Sequence, residues 1–281
     1  MKRVRTLPHH GARLLGIISV TTIVLSSSNA SAQVNTDTLR PGPLREGLSG
    51  GVDGSFVKLG GNVELMDIGL GGRVQTLRFW PSTTERPNVP KSVQRMVYLM
   101  GNFHYTARGA QPILNQALLH GRFINMWHRR VGSAVFVQHQ FNEFQRLRVR
   151  SIWGTSISIP LFQSPVFGAS LGSGYMFEYN HISVFPGAND APRTYEHRWS
   201  NFLGLKMTAF EGRLLGQSTT YMQPRWDKLS DFRFLEEVEL LAKLNDSFGF
   251  GATFSFLYDS APPTGVKNAD TRIASNVRIS F

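Results

Sequence analysis

Apolar and polar side chains alternate strictly along the end of the chain, residues 270–281. The apolar positions are Ile273, Val277, Ile279 and Phe281, and the polar positions between them are Arg272, Asn276, Arg278 and Ser280. A period of two residues places successive side chains on opposite faces of an extended backbone. The pattern therefore predicts a β-strand that has one apolar face and runs to the final residue.

The same period returns in three earlier segments, 146–161, 166–179 and 248–258. In the last of these, FGFGATFSFLY, aromatic residues occupy one face and small or polar residues the other. Fainter alternation at similar spacing extends the prediction to about twelve strands, an even number as in bacterial single-chain barrels. We place the strands near residues 48–59, 63–79, 92–107, 116–130, 133–144, 146–161, 165–180, 194–210, 212–224, 232–244, 248–259 and 270–281.

Segment 146–161 distinguishes a soluble β-sandwich from a membrane β-barrel, because one of its faces carries arginine at three consecutive positions. Unpaired charge in the core of a soluble β-sandwich costs several kcal/mol or more. In a membrane barrel the polar face meets a water-filled interior and the apolar face meets lipid. The predicted fold is therefore all-β, a transmembrane antiparallel up-and-down β-barrel of about twelve strands.

The polar faces of these strands supply the residues that we expect to line the interior, or lumen, of the barrel. They are Arg122, Arg146, Arg148, Arg150, Arg198, Arg213, Arg272, Arg278, Glu178, Glu237 and Glu239. Two interpretations of this set stay open. Ion pairs between arginines and acids would fill the interior, whereas rings of arginine would form a narrow pore with a weak preference for anions.

The N-terminus has the layout of a secretory signal peptide. A cationic start precedes the apolar residues 14–25, which are followed by the small residues Ala30, Ser31 and Ala32. The apolar stretch is shorter than the roughly 20 residues that a transmembrane helix needs. We expect residues 1–32 to be the signal peptide, residues 33–46 a periplasmic N-terminal linker and residues 47–281 the outer-membrane β-barrel.

Charge and cysteine content exclude several classes of function. The leader contains four of the 30 Lys and Arg residues and none of the 19 acids, so the mature chain carries 26 − 19 = +7. These cationic residues are dispersed rather than gathered in a patch, which argues against a nucleic-acid partner. The chain has no cysteine, so disulfides and thiolate sites are excluded. We predict no cofactor and no metal site.

The final strand resembles the C-terminal signal that the insertion machinery of bacterial outer membranes recognises, with Val277, Ile279 and Phe281 as its apolar positions. The resemblance implies that the barrel-insertion machinery and periplasmic chaperones are partners during biogenesis. It also implies that the mature protein lies among the lipids and lipopolysaccharide of the outer membrane of a Gram-negative-type bacterium. The sequence predicts no oligomeric state.

The stretch 257–281 carries a second resemblance, in Tyr258-Asp259-Ser260, Pro262-Pro263, Gly265-Val266-Lys267 and Asp270-Thr271-Arg272. These motifs are similar to the end of the YdiY-like salt-induced outer-membrane proteins, a domain of unknown function. The resemblance implies an outer-membrane, porin-like barrel with a structural role or a role in adapting the envelope to salt. It implies no catalytic residue.

Enzymatic activity is weighed against this expectation because several outer-membrane barrels hydrolyse lipids. His139 shares the parity of its apolar neighbours and is expected on the lipid-facing surface. Hydrolysis would need a serine nucleophile beside this histidine, and no adjacent segment shows a recognisable serine motif. We therefore predict that the protein is not an enzyme, with a narrow small-solute channel and an outer-membrane lipid hydrolase as the two alternatives.

Overall fold

A computed structural model describes residues 46–61, 64–81, 93–245 and 248–279. This part of the chain forms twelve β-strands and two single turns of 3₁₀ helix, Glu143–Gln145 and Phe210–Gly212. The strands are β1 (Gly47–Leu59), β2 (Leu65–Phe79), β3 (Val93–Arg108), β4 (Gln111–His128), β5 (Val131–Asn142), β6 (Leu147–Gln163), β7 (Phe167–Ile182), β8 (Arg193–Ala209), β9 (Leu214–Pro224), β10 (Phe232–Lys243), β11 (Phe248–Asp259) and β12 (Ala269–Ile279). No helix among these residues is long and apolar enough to cross a membrane.

Each strand pairs antiparallel with the next along the chain, in the order β1 to β12. Within the described ranges no ladder joins β1 to β12. The sheet nevertheless curls strongly, because Arg233 on β10 contacts Glu178 on β7 with 2.5 Å between Nη1 and Oε2. Along a flat sheet these strands would be about 14 Å apart, at roughly 4.8 Å per strand. The architecture is therefore an antiparallel up-and-down barrel, as the alternation predicts.

The connections differ in length at the two ends of the barrel. Most short turns lie at one end (129–130, 164–166, 210–213 and 244–247), and the longer loops 183–192, 225–231 and 260–268 lie at the other. The connection 80–92 at the first end and the connections 60–64, 109–110 and 143–146 at the second are exceptions. Transmembrane barrels place short turns on the periplasmic side and longer loops outside. The long-loop end is called the outer end below, and the short-turn end the inner end.

The outward face of the sheet is apolar and exposed. In β11 the alternate residues Phe248, Phe250 and Phe254 are exposed, while Gly249 and Ser255 between them are buried. The same holds across most strands, so that large exposed apolar side chains cover the outside of the sheet. Such a band is what hydrocarbon contact requires.

The inward face is less uniformly polar than the sequence predicts. A cluster of buried apolar side chains lies inside β2, β3 and β4, namely Leu77, Met96, Tyr98, Met100 and Leu118. A second cluster, Tyr221, Leu235 and Leu257, lies inside β9, β10 and β11 and is packed against Phe202. The interior of this barrel therefore contains hydrophobic packing beside its charges.

Two strand predictions need correction at the outer end. β4 begins at Gln111 rather than near residue 116, because Gly109, with φ of 58°, closes a tight turn with Ala110. At the start of β6 the register shifts between Leu147 and Val149, and Arg146 adopts φ of 58°. This bulge reverses the parity of the first residues of β6, as bulges do.

Candidate functional site in the barrel interior

The centre of the interior is an ion-pair network built around Glu178 of β7, whose side chain is 0% exposed. Its carboxylate lies 3.2 Å from Nε of Arg150 on β6 and 2.5 Å from Nη1 of Arg233 on β10. Asn180, two residues along β7, donates to Oε1 of Glu178 and accepts from Nε of Arg150. Each oxygen of the carboxylate therefore faces a cation, which offsets the cost of its burial.

The network continues through Arg233 to the next strands. Nε of Arg233 donates to Oδ2 of Asp259 on β11 at 2.9 Å. Its Nη2 lies 4.0 Å from Oε2 of Glu196 on β8. The guanidinium of Arg233 thus touches acids on three strands, which its planar fork of five donors suits.

A third guanidinium, that of Arg198 on β8, extends the network to the outer loop 225–231. Its Nη2 lies 2.5 Å from Oε2 of Glu196 and 2.8 Å from Oδ1 of Asp231. The other carboxylate oxygen of Asp231 lies 3.0 Å from Nη1 of Arg225. The network thus joins four arginines (150, 198, 225 and 233) to four acids (178, 196, 231 and 259), and Arg225 also pairs with a fifth acid, Asp227, at 2.6 Å.

The outer mouth is spanned by a latch, defined here as Arg146, Asp190 and Thr264. Nη1 of Arg146 lies 3.0 Å from Oδ2 of Asp190 in loop 183–192 and also donates to the carbonyl oxygen of Thr264 in loop 260–268. The backbone N–H and the hydroxyl of Thr264 donate to the same carboxylate. The guanidinium carbon of Arg146 lies 4.0 Å from the ring centroid of Phe185, a cation–π distance.

Electrostatics favour the closed form of the latch. The pKa of Asp190 lies below its usual range because the backbone N–H of Thr264 donates to its carboxylate, with further lowering by Thr264 Oγ1 and Arg146. In loop 225–231 a hydrogen bond from Arg225 similarly lowers the pKa of Asp227. Both acids are therefore charged at neutral pH and hold their cationic partners.

Aromatic rings fill space towards the inner end. A Cβ atom placed on Gly172 of β7 would lie 2.0 Å from the ring of Phe202, and one on Gly154 of β6 would lie 2.2 Å from the ring of Phe136. Glycine at these positions therefore leaves room for a ring to lie against the strand.

A cavity of about 20 Å³ near Arg150 and Asp259 is large enough for a single water molecule.

Among the residues predicted to line the interior, Arg146, Arg150, Arg198 and Glu178 are buried. Glu237 and Glu239 are half-buried on the inward parity of β10. Arg122 is half-buried, and its guanidinium carbon lies 5.3 Å from the ring centroid of Phe136. These residues lie on the inward face, and four of them belong to the network or the latch.

Three other predicted positions are exposed in the structure. Arg148 is exposed, because the bulge at the start of β6 turns it outward and Nε donates to Ser183 Oγ at 2.9 Å. Arg213 is exposed in the inner turn before β9. Arg272 is exposed although it pairs with the buried Ser255, because β12 is the last strand of the sheet. Arg148 lies outside the lumen and Arg213 lies in a turn, whereas Arg272 keeps the inward parity that the alternation predicts for it.

Several predictions lie outside the described residues. They concern the signal peptide at residues 1–32, nearly all of the linker at 33–46, and Phe281. The backbone of β12 pairs Val277 with Phe250, Arg278 with Gly249 and Ile279 with Phe248, but the side chains of these three residues are not described.

The prediction omitted Glu196, Asp231 and Arg233, which are buried members of the network. The alternating pattern could have identified two of them. Glu196 lies two residues from the predicted inward Arg198, and Arg233 lies four residues from the predicted inward Glu237. Asp231 is the last residue of loop 225–231, where parity gives no information.

On the outward face the structure places a serine beside His139, in a segment without a recognisable serine motif. Nδ1 of His139 on β5 lies 2.8 Å from Oγ of Ser151 on β6, and Trp153 packs edge-on against the imidazole at 5.8 Å between ring centroids. Hydrolases add a third polar group that orients the histidine, and the described residues show no acid or amide bonded to His139. They also contain no group of three His, Asp or Glu side chains that could hold a metal ion.

Comparison with known proteins gives two findings and one absence. The fold is similar to a solved structure titled "NanC porin structure in rhombohedral crystal form", with a TM-score of 0.42 and 10% sequence identity, covering 76% of this chain and 94% of that chain. No curated protein matches the sequence significantly. A family model described as a protein of unknown function, DUF481, matches residues 95–281 and is consistent with the YdiY-like resemblance. Because the match covers more than half of the chain, this protein belongs to the DUF481 family.

Proposed function

We propose that this protein is a filled β-barrel of the outer membrane with a structural role in the envelope, and that it neither conducts solutes nor catalyses a reaction. The observation that carries the proposal is the contact of Glu178 with Arg150 and Arg233, which joins β6, β7 and β10 through the inside of the barrel. A solute path through the same space would have to separate these three charged groups.

The surroundings of this contact support the proposal. The two apolar clusters also occupy the interior, one at β2, β3 and β4 and the other at β9, β10 and β11. The latch ties three outer elements together above it. An aqueous channel instead needs a continuous polar path with an open mouth.

The apolar outer band and the alternating last strand support an outer-membrane location. The resemblance to salt-induced proteins suggests that the barrel keeps the envelope intact when ionic strength changes. Buried ion pairs suit this role, because mobile ions screen them far less than they screen exposed charges.

Planar-bilayer conductance of the refolded mature protein tests the proposal. We expect no discrete conductance steps for the wild type at any salt concentration. The triple variant Arg150→Ala, Glu178→Ala, Arg233→Ala serves as a positive control, because removing the three side chains opens space at the centre of the network. Discrete steps from the wild type would replace the proposal with the narrow-channel alternative.

The contact between His139 and Ser151 is the one observation that favours a lipid hydrolase as a second candidate. Incubation of the refolded barrel with phospholipid and lipopolysaccharide distinguishes the two. We expect no released fatty acid from the wild type. Product release that is abolished by His139→Ala and by Ser151→Ala would establish the hydrolase instead.

A further inference from the structure

Two arginines and a histidine lie together at the outer end of the outward face, on β6, β7 and β8. The strand register places Val149, His181 and Arg193 directly beside one another. Arg148, the unpaired residue of the bulge, lies next to Val149. Arg148, His181 and Arg193 therefore fall within two strand spacings, about 10 Å. We call these three residues the rim cluster.

The two arginines of the rim cluster are exposed. Among the described residues the recorded partner of the Arg148 side chain is Ser183, a neutral hydroxyl, and no acid pairs with Arg193. The nearby acids are engaged elsewhere. Glu143 accepts from Asn115 on β4, and Asp190 belongs to the latch. The rim cluster is therefore a site of uncompensated positive charge.

Aromatic rings lie directly below the rim cluster on the same face. Tyr179 and Tyr195 are the next outward pair, with ring centroids 5.2 Å apart, and Phe177 lies 6.4 Å from Tyr195. The side chain of Tyr195 is 65% exposed. Aromatic belts mark the level where hydrocarbon gives way to headgroups. The rim cluster thus stands at headgroup height.

We propose that Arg148, His181 and Arg193 bind the phosphate group of an outer-leaflet membrane lipid whose chains lie along the aromatic rings below. The proposal rests on the membrane location proposed above. Guanidinium groups suit phosphate because each can donate two parallel hydrogen bonds to its oxygens. Exposed arginines at this level cost little while they face water, and they gain a charged partner when the lipid arrives.

Titration of the refolded barrel in neutral detergent with phosphatidic acid, followed by native mass spectrometry, tests the site. The variant Arg148→Gln, Arg193→Gln removes its two permanent charges. The matched control is Arg129→Gln, Arg130→Gln, which removes two exposed arginines from an inner turn. We expect the rim variant to bind phosphatidic acid about tenfold more weakly than wild type, and the control variant to bind as wild type does.

Two comparisons complete the experiment. Phosphatidylcholine, whose headgroup carries no net charge, is expected to bind wild type and rim variant equally, and inorganic phosphate is expected not to displace phosphatidic acid. Equal binding of phosphatidic acid by wild type and rim variant would overturn the proposal, as would equal loss in the inner-turn control. Displacement by inorganic phosphate would assign the site to a soluble anion. None of these results depends on conductance, so this experiment tests lipid binding independently of whether the interior is filled.

Discussion

Glu178 and Arg233 meet inside the barrel, with 2.5 Å between Oε2 and Nη1, although their strands β7 and β10 are separated by two others in the sheet. This contact defines the curvature of the sheet at its outer half. It also removes two full charges from water, since the Glu178 side chain is 0% exposed and that of Arg233 is 6% exposed. Each charge therefore depends on the other and on its remaining partners.

Removing the charge of Glu178 should destabilise the barrel more than removing any exposed carboxylate. In Glu178→Gln the guanidinium groups of Arg150 and Arg233 lose their shared counter-charge while remaining buried. Breaking a buried pair in this way costs about 3 kcal/mol or more. Urea unfolding in lipid vesicles measures the change.

The matched control for this prediction is Glu64→Gln, which alters an exposed carboxylate at an outer turn. We expect a change within about 0.5 kcal/mol for it. If the two variants unfolded at the same urea concentration, the network would not hold the barrel together.

The stability of the barrel should also depend little on salt. Apart from Arg225 and Asp227, the arginines and acids of the network are buried away from mobile ions, so that screening acts weakly on them. We expect the urea midpoint to stay nearly constant between about 0.1 M and about 1 M sodium chloride. A fall in the midpoint that grows steadily with salt would show that exposed charges carry the electrostatic stability.

Packing inside the barrel gives a third prediction, at Gly172. Gly172→Ala would place a methyl group where the Phe202 ring now lies, 2.0 Å from its nearest carbon. Overpacking of this kind costs about 1–3 kcal/mol. The double variant Gly172→Ala, Phe202→Leu should recover part of the loss, because the smaller side chain vacates that space. Thermal unfolding, read from the migration of folded protein on gels, measures both.

Gly168→Ala is the control for this substitution, since it lies on the same face of β7 and a Cβ there would meet only atoms 3.8 Å away or more. Gly168→Ala should leave the unfolding temperature unchanged or raise it slightly. Equal loss at Gly168 and Gly172 would mean that glycine serves backbone flexibility in β7 and does not make room for a ring.

The strands themselves could be predicted from sequence because alternation is a local property of the backbone. All twelve appear where the pattern places them, apart from the early start of β4 at Gln111. The outward position of Arg148 could not be predicted, since a bulge and the φ of 58° at Arg146 shift the parity without any signal in residue type. The partners of Glu178 could not be predicted from the sequence either, because they depend on how tightly the sheet curls.

The apolar interior clusters show a second limit of the pattern. Along β3 both faces are rich in large apolar residues, with Met96, Tyr98 and Met100 inside and Val97 and Leu99 outside. Alternation between polar and apolar residues is therefore weak there, and only the geometry of the sheet assigns the faces.

A carboxylate on the outward face supplies a fourth prediction. Glu236 of β10 shares the outward parity of Val238 and Leu240, and its carboxylate accepts from Ser218 at 2.7 Å and from Thr220. In the double variant Ser218→Ala, Thr220→Val this acid loses both donors beside lipid. We expect the free energy of unfolding to fall by about 1–3 kcal/mol.

Adding Glu236→Leu to that double variant should restore stability, because an apolar side chain needs no donor next to hydrocarbon. Thr155→Val, which removes an exposed hydroxyl from β6, is the control and should have little effect. Failure of the Glu236→Leu rescue would contradict the placement of this face against lipid.

The latch at the outer mouth should stay closed over the whole physiological pH range. The pKa of Asp190 is lowered in the folded protein by the backbone N–H of Thr264, then by Thr264 Oγ1 and Arg146. A carboxylate whose folded pKa is depressed contributes stability above its unfolded pKa, about 3.9. That contribution is lost only as the pH falls below this value and through the folded pKa.

Protease cleavage within loop 183–192 should therefore proceed at the same rate from pH 8 to about pH 5. Asp190→Asn should cleave faster than wild type at every pH in that range, because it removes the charge that holds Arg146. A cleavage rate that rises in the wild type between pH 7 and about pH 5 would instead assign the opening of the mouth to a histidine, whose ordinary pKa lies near 6.5.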